Sequence, residues 1–166
     1  QSRCEADDSQ GIIPLTPEEI EAGVAATPAV AQANERAVLK ELFEATGGAL
    51  GKWKASDGWS DSEDFCTWYG IDCDENDSVI SIQLGSNGMK GDLPTSIWSL
   101  PNLTHLKIYG NQLKTDFEGV EAARNLKTLG LDDTGLDNLD GISKARSLTT
   151  LNVAYNDLAG ALPEEL

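Results

Sequence analysis

The sequence predicts an α/β solenoid: a right-handed superhelix of short repeats with a parallel sheet along its concave side and a helical cap at its N-terminal end. Three observations predict it. A five-position pattern recurs four times in register after residue 78, a capped amphipathic helix stands upstream, and a Trp- and Cys-bearing segment joins the two. The pattern is L-x-x-L-x-L-x-x-N-x-L. It is met by Val79-Ile82-Leu84-Asn87-Met89, Leu103-Leu106-Ile108-Asn111-Leu113, Leu126-Leu129-Leu131-Thr134-Leu136 and Leu148-Leu151-Val153-Asn156-Leu158. Each copy holds a short strand whose apolar side chains alternate inward, too few to close a core alone. Stacked copies make one sheet and a continuous Leu-filled interior.

The elements follow in order. Residues 1–26 read as an acidic extension with a short helix from Pro17 to about Ala25, opened by the cap Thr16-Pro17-Glu18-Glu19. Thr27-Pro28 starts a second helix, which runs to about Ala45 and ends at Gly47-Gly48. Val38, Leu39, Leu42 and Phe43 form its apolar face, expected to lie on the first repeat with Trp53, Trp59 and Trp68 as filler of the cap. Residues 27–78 are thus assigned to the cap and 79–166 to four repeats, the last incomplete. Strands are expected near 81–84, 105–108, 128–131 and 150–153. The recurring Asn sits at the bend after each strand, where its amide satisfies backbone groups of adjacent turns. Thr134 replaces it in the third copy and offers fewer bonds, so the ladder is expected to be weakest there.

Two segments carry a family resemblance. Gly91 to Ile97 (GDLPTSI) and the terminal AGALPEEL resemble the L-x-G-x-(I/L)-P-x-x-(I/L) run of plant-like extracellular leucine-rich repeat proteins. The stretch W-x5-W…C-T-W-Y-G-I-D-C is similar to that group's N-terminal cap. The likeness covers residues 28 to 166 and extends to receptor-kinase ectodomains, polygalacturonase-inhibiting proteins and secreted algal repeat proteins. It implies a disulfide between Cys66 and Cys73, and with it an oxidising compartment, secreted or on the extracellular face of a membrane. The third copy, LKTLGLDDTGLDNLDGISKARS, lacks the G-x-L-P run, so the group's second sheet, on the flank, is expected to be interrupted there.

Composition narrows the function classes. The net charge of −16 argues against nucleic acid and anionic lipid as partners. Most of that acidity lies before residue 79, where it serves solubility. No apolar run is long enough for membrane insertion within this segment. Cys4 is a third cysteine, read as a free thiol, a bond to a partner chain or a bond to another part of the parent protein. With one His and no C-x-x-C, zinc has no ligand set. Asp72-x-Asp74-x-Asn76 opens like a calcium loop, but Asp77 stands where glycine is needed and Gln83 where the closing Glu belongs. No metal and no cofactor are therefore expected. Asn76 and Asn102 head N-x-S/T sequons, and Asn102 is expected to point outward at the solenoid edge. The sequence opens on Gln1 and stops inside the fourth copy. Further repeats in the parent protein, or self-association through that end, are expected to cover it.

Function must come from exposed positions, since the repeats supply only a scaffold. Between the inward leucines, twelve residues are expected to point to the concave face: Ser81, Gln83, Gly85; His105, Lys107, Tyr109; Thr128, Gly130, Asp132; Thr150, Asn152, Ala154. Most are small. The second row sets a cation, an aromatic and the only His side by side, with Asp132 and Tyr155 near. A rigid sheet bearing these groups suits recognition of a protein, peptide or glycan. The plain alternative is a solvated face on which Lys107 pairs with Asp132. No nucleophile, base and orienting acid share a recognisable context, so catalysis has no positive signal. The reading is a noncatalytic extracellular recognition module centred on His105, Lys107, Tyr109, Asp132 and Tyr155. A structural component of a wall, matrix or larger assembly is the alternative, and an inhibitor of a wall-degrading hydrolase a further one.

Overall fold

The structure, a computed structural model, describes residues 27–160 and 162–163. The short helix placed at 17–25 and Cys4 lie outside the described residues. Helix α1 spans Pro28–Ala45. Thr27 caps it by accepting a hydrogen bond from the Val30 N–H, and Pro28 occupies the first turn, where its missing N–H costs nothing. The helix stops at Thr46, and Gly47 follows in the left-handed conformation.

Seven strands follow: β1 Ile71–Cys73, β2 Val79–Gln83, β3 Lys90–Asp92, β4 His105–Lys107, β5 Gln112–Lys114, β6 Thr128–Gly130 and β7 Thr150–Asn152. The main sheet has the order β1-β2-β4-β6-β7. Strands β2, β4, β6 and β7 are parallel and in register, with Ile82, Leu106, Leu129 and Leu151 in one column. The four repeat strands thus lie in the predicted register. Strand β1 was not read from the sequence. It pairs antiparallel with β2 and covers the sheet's N-terminal edge, which would otherwise present a row of free backbone groups.

A second, two-stranded sheet joins β3 to β5. It stops before the third copy, where interruption was expected, although the second copy contributes β5 without a G-x-L-P run of its own. In the third copy the chain makes a 3-10 turn at Ile142–Lys144, which packs beside the one at Val120–Ala122, itself packed on the one at Thr95–Ser99.

The Asn positions behave as ladder rungs. Asn111 accepts from the N–H groups of Asn87 and Met89 and donates to the carbonyls of Leu84, Ile108 and Tyr109. Asn156 accepts from Thr134, Gly135 and Leu136 and donates to Leu131, Val153 and Ala154. Thr134, at the same position, donates one bond to Leu131. The predicted weak rung is there.

The cap is an aromatic cluster. Phe43, Trp53, Trp59, Phe65 and Trp68 are buried and pack with ring centroids 4.9 to 6.4 Å apart. Such pairs add to the burial of area, and Trp N–H groups need partners when buried. All three cap indoles donate to backbone carbonyls, of Thr46, Tyr69 and Ser62. Cys66 and Cys73 form the disulfide, with Cα atoms 5.6 Å apart. Glu35 is a surprise on the helix's buried face. It is 3% exposed and accepts from the Ser78 hydroxyl (2.8 Å) and the Val79 N–H (2.7 Å). A buried carboxylate is tolerable only when bonded in this way. It pins the helix to the start of the first repeat.

Candidate functional site

The exposed face of the main sheet is set out in columns by the register. Ser81, His105, Thr128 and Thr150 form one column, and Gln83, Lys107, Gly130 and Asn152 the next. Tyr109 and Asp132 follow their strands at the end of the face. The cap lengthens the first column: Asp72 of β1 faces Ser81. Period-two alternation in Gly70-Ile71-Asp72-Cys73 was the signal for it.

The two ends of this face differ in how their polar groups are used. Near the cap, the Gln83 amide donates to Asp72 and to Ser81, each at 3.3 Å. Further along, among the described residues, the side chains of His105, Lys107 and Asp132 make no hydrogen bond, and the one ion pair is Arg36–Glu63. The Lys107–Asp132 pair weighed from the sequence is therefore absent from the described contacts. A depression of 340 Å³ opens in this part, lined by Lys107, Tyr109, Thr128, Gly130, Asp132, Thr150 and Asn152, with Leu129 below.

The structure thus brings Lys107, Tyr109 and Asp132 to one depression. His105 does not line it, although Thr128 and Thr150 of its own column do. Tyr155 is separate: it is 87% exposed at a left-handed corner (φ 57°), the repeat equivalent of Asp133 and Ser86. Counting along the strands did not register the corner that turns Tyr155 off the sheet, and Ser81, counted as outward, is 5% exposed. Counting put Asn152 and Gly130 on the concave face but not in the site, because their place beside Lys107 and Asp132 carries no signal until strands are laid side by side.

Asp74 closes its own turn by accepting from the N–H groups of Asn76 and Ser78. Among the described residues no three His, Cys, Asp or Glu side chains gather as a metal site. Of the two sequons, Asn76 is exposed. Asn102 departs from the expectation that it points outward: it is half-buried, and its amide nitrogen donates to Ser78 (3.1 Å) and Asp74 (3.4 Å). The cap turn folds over the start of the second repeat and holds it.

Comparisons place this architecture. No family model matches the chain. The chain is 31% identical over 115 residues to phytosulfokine receptor 1 of Arabidopsis thaliana, covering 66% of this chain and 9% of that receptor. It is 26% identical over 118 residues to the serine/threonine-protein kinase BRI1-like 1 of the same plant, covering 68% of this chain and 10% of that kinase. Among solved structures, a plant ice-binding protein superposes with a TM-score of 0.64 at 25% identity, over 79% of this chain and 43% of that one. The PEPR1–AtPEP1 structure gives 0.63 at 25% identity, over 79% of this chain and 19% of that one. Its fold is the leucine-rich repeat solenoid, and the chain is similar to the extracellular leucine-rich repeat regions of plant receptors. It spans about a tenth of the length of phytosulfokine receptor 1 and of BRI1-like 1. Among the described residues no helix is long and apolar enough to cross a membrane.

Proposed function

We propose that the chain is a noncatalytic recognition module that binds an extracellular ligand on the concave face of its sheet. One observation carries the reading: Lys107, Tyr109 and Asp132, free of side-chain partners among the described residues, converge on one depression in a rigid sheet. Groups already fixed by a scaffold lose little entropy when a ligand arrives. Tyr109, 42% exposed, is the large amphipathic anchor, and such residues dominate interface energetics. PEPR1, similar in structure, is solved together with AtPEP1, and phytosulfokine receptor 1 is a receptor by name. A ligand-binding role here is in keeping with both.

The test is recovery of a partner from native extract with wild-type protein and with the Lys107→Ala/Tyr109→Ala double variant. Loss of the partner with unchanged thermal unfolding is expected; Tyr109→Ala alone should lose about 1–2 kcal/mol of affinity. Identical recovery by both proteins refutes the concave site and favours a structural role in a wall, matrix or larger assembly.

A further inference from the structure

We propose that the depression is a saccharide subsite: a neutral oligosaccharide stacks one ring on Tyr109 and seats the next over Gly130, with Asp132, Lys107 and Asn152 bonding its hydroxyls. The inference rests on the concave-face reading above and narrows it to one ligand class.

The first argument is the seat of Tyr109. A Cβ placed on Gly85 would lie 2.3 Å from the ring's Cζ, 2.5 Å from Cε1 and 2.7 Å from Cε2. The outer half of the ring therefore rests on the Gly85 backbone. Gly85 is not in the left-handed region, so its backbone does not call for glycine; the ring does. One face of the phenol is covered by main chain and the other is turned to solvent. That makes a flat, immobile plate. Its negative π-face meets the polarised C–H groups on the flat side of a pyranose.

The second argument is the polar set beside the plate. Gly130 is buried and forms a floor of backbone, with Lys107 Cα and Cγ 3.7 Å and Asp132 Oδ1 3.9 Å from the position of a Cβ there. Around it stand a carboxylate, an ammonium, an amide and the hydroxyls of Thr128 and Thr150. The Asn152 side-chain Oδ1 accepts from the Ala154 N–H, while its NH2 has no partner among the described residues. Donors and acceptors are thus interleaved, which vicinal hydroxyls require, because each hydroxyl both gives and accepts. A carboxylate acceptor makes the stronger of these bonds.

A peptide fits the same surface less well. Peptide anchors need an apolar pocket, and here Leu129 is fully buried while the walls are Thr, Lys and Asn. An added strand needs an open edge; β7 offers one at the end of the sheet, whereas the depression lies on the face, across β4, β6 and β7. Charge selects among saccharides. Lys107 and Asp132 cancel locally, and the chain's net −16 repels polyanions such as uronate or sulfated glycans.

The experiment is calorimetric titration of the full 166-residue chain with neutral β-linked hexose and pentose oligomers, run beside selection from a displayed random-peptide library. Variants are Gly85→Ala, Tyr109→Ala, Tyr109→Phe and Asp132→Asn. At least about tenfold weaker oligomer binding is expected for Tyr109→Ala and also for Gly85→Ala, which changes no group that touches the sugar but lifts the plate. Tyr109→Phe should stay within about twofold, since the π-face is kept. Asp132→Asn should weaken binding several-fold, and thermal unfolding should hold constant throughout. Peptides captured in a Tyr109-dependent way with no oligomer bound overturn the saccharide assignment and leave the concave-face reading standing. An oligomer that binds equally to wild type, Gly85→Ala and Tyr109→Ala overturns the subsite. If neither oligomers nor peptides bind in a way that Tyr109→Ala weakens, both the inference and the concave-face reading fall.

Discussion

The two ends of the main sheet are built from the same repeat and behave differently. At the cap end, Ile82 has β1 beside it in the sheet, α1 nearby and an aromatic cluster closing the core, and it is wholly buried. At the other end, Leu151 occupies the same column in register with Leu129, yet it is only half-buried, as are Leu148, Val153 and Leu158. A cavity of 660 Å³, lined by residues that include Ile142, Ala145, Leu148 and Leu151, opens there. Identical side chains in identical register differ in burial because burial is contributed by the next layer, not by the repeat that bears the residue. The pattern decides which way a leucine points; a neighbour decides whether water reaches it.

The largest test of that contrast is a matched pair of truncations. Leu129→Ala should cost about 2–5 kcal/mol, being wholly enclosed, while Leu151→Ala should cost only roughly 1 kcal/mol in the monomer, since much of its transfer term is already lost to solvent. Chemical unfolding of both variants at low protein concentration checks this. Equal costs there would break the comparison. Sedimentation at high concentration sharpens it: if copies associate through this end, the cost of Leu151→Ala rises towards that of Leu129→Ala as concentration increases.

The second test concerns the covalent tie, which only the cap end possesses. The Cys66→Ser/Cys73→Ser variant should lose about 2–3 kcal/mol, the chain-entropy value for so short a loop. Alkylation without reductant, read by intact mass, should leave both thiols unmodified in native wild type. Their labelling would remove the disulfide and the argument for an oxidising compartment with it.

The smallest effect lies between the two ends. Thr134→Asn should stabilise by about 0.5–1.5 kcal/mol, by giving the third copy the rung that Asn111 and Asn156 supply in theirs. Thermal unfolding gives the sign. A loss of stability would show that the site, 1% exposed as Thr, has no room for the longer side chain.

Tyr109 and Asn102 show where reading residues in a line stops. Both were placed on the outside by counting from the strand. Tyr109 is there, but whether it is a loose side chain or a seated plate depends on Gly85, twenty-four residues earlier and one strand over. Asn102 is held instead by Ser78 and Asp74, 24 and 28 residues away. Counting gave Lys107 and Asp132 their face. It gave no sign that their side chains remain unpaired.

What the sequence determined by itself is everything that repeats: the strand register, the inward column Ile82-Leu106-Leu129-Leu151, the Asn rungs with their gap at Thr134, the break in the second sheet, and the helix bounded by Thr27-Pro28 and Gly47. These follow from local periods and local caps, so a single stretch of chain contains the information. The tertiary structure decided what happens once: β1 closing the sheet edge, Glu35 reaching the Val79 N–H 44 residues on, the corner that sends Tyr155 off the face, and the depression floored by Gly130. Each depends on two segments meeting in space, and a periodic pattern fixes how neighbouring repeats stack but holds no record of which unique partner each exposed polar group finds.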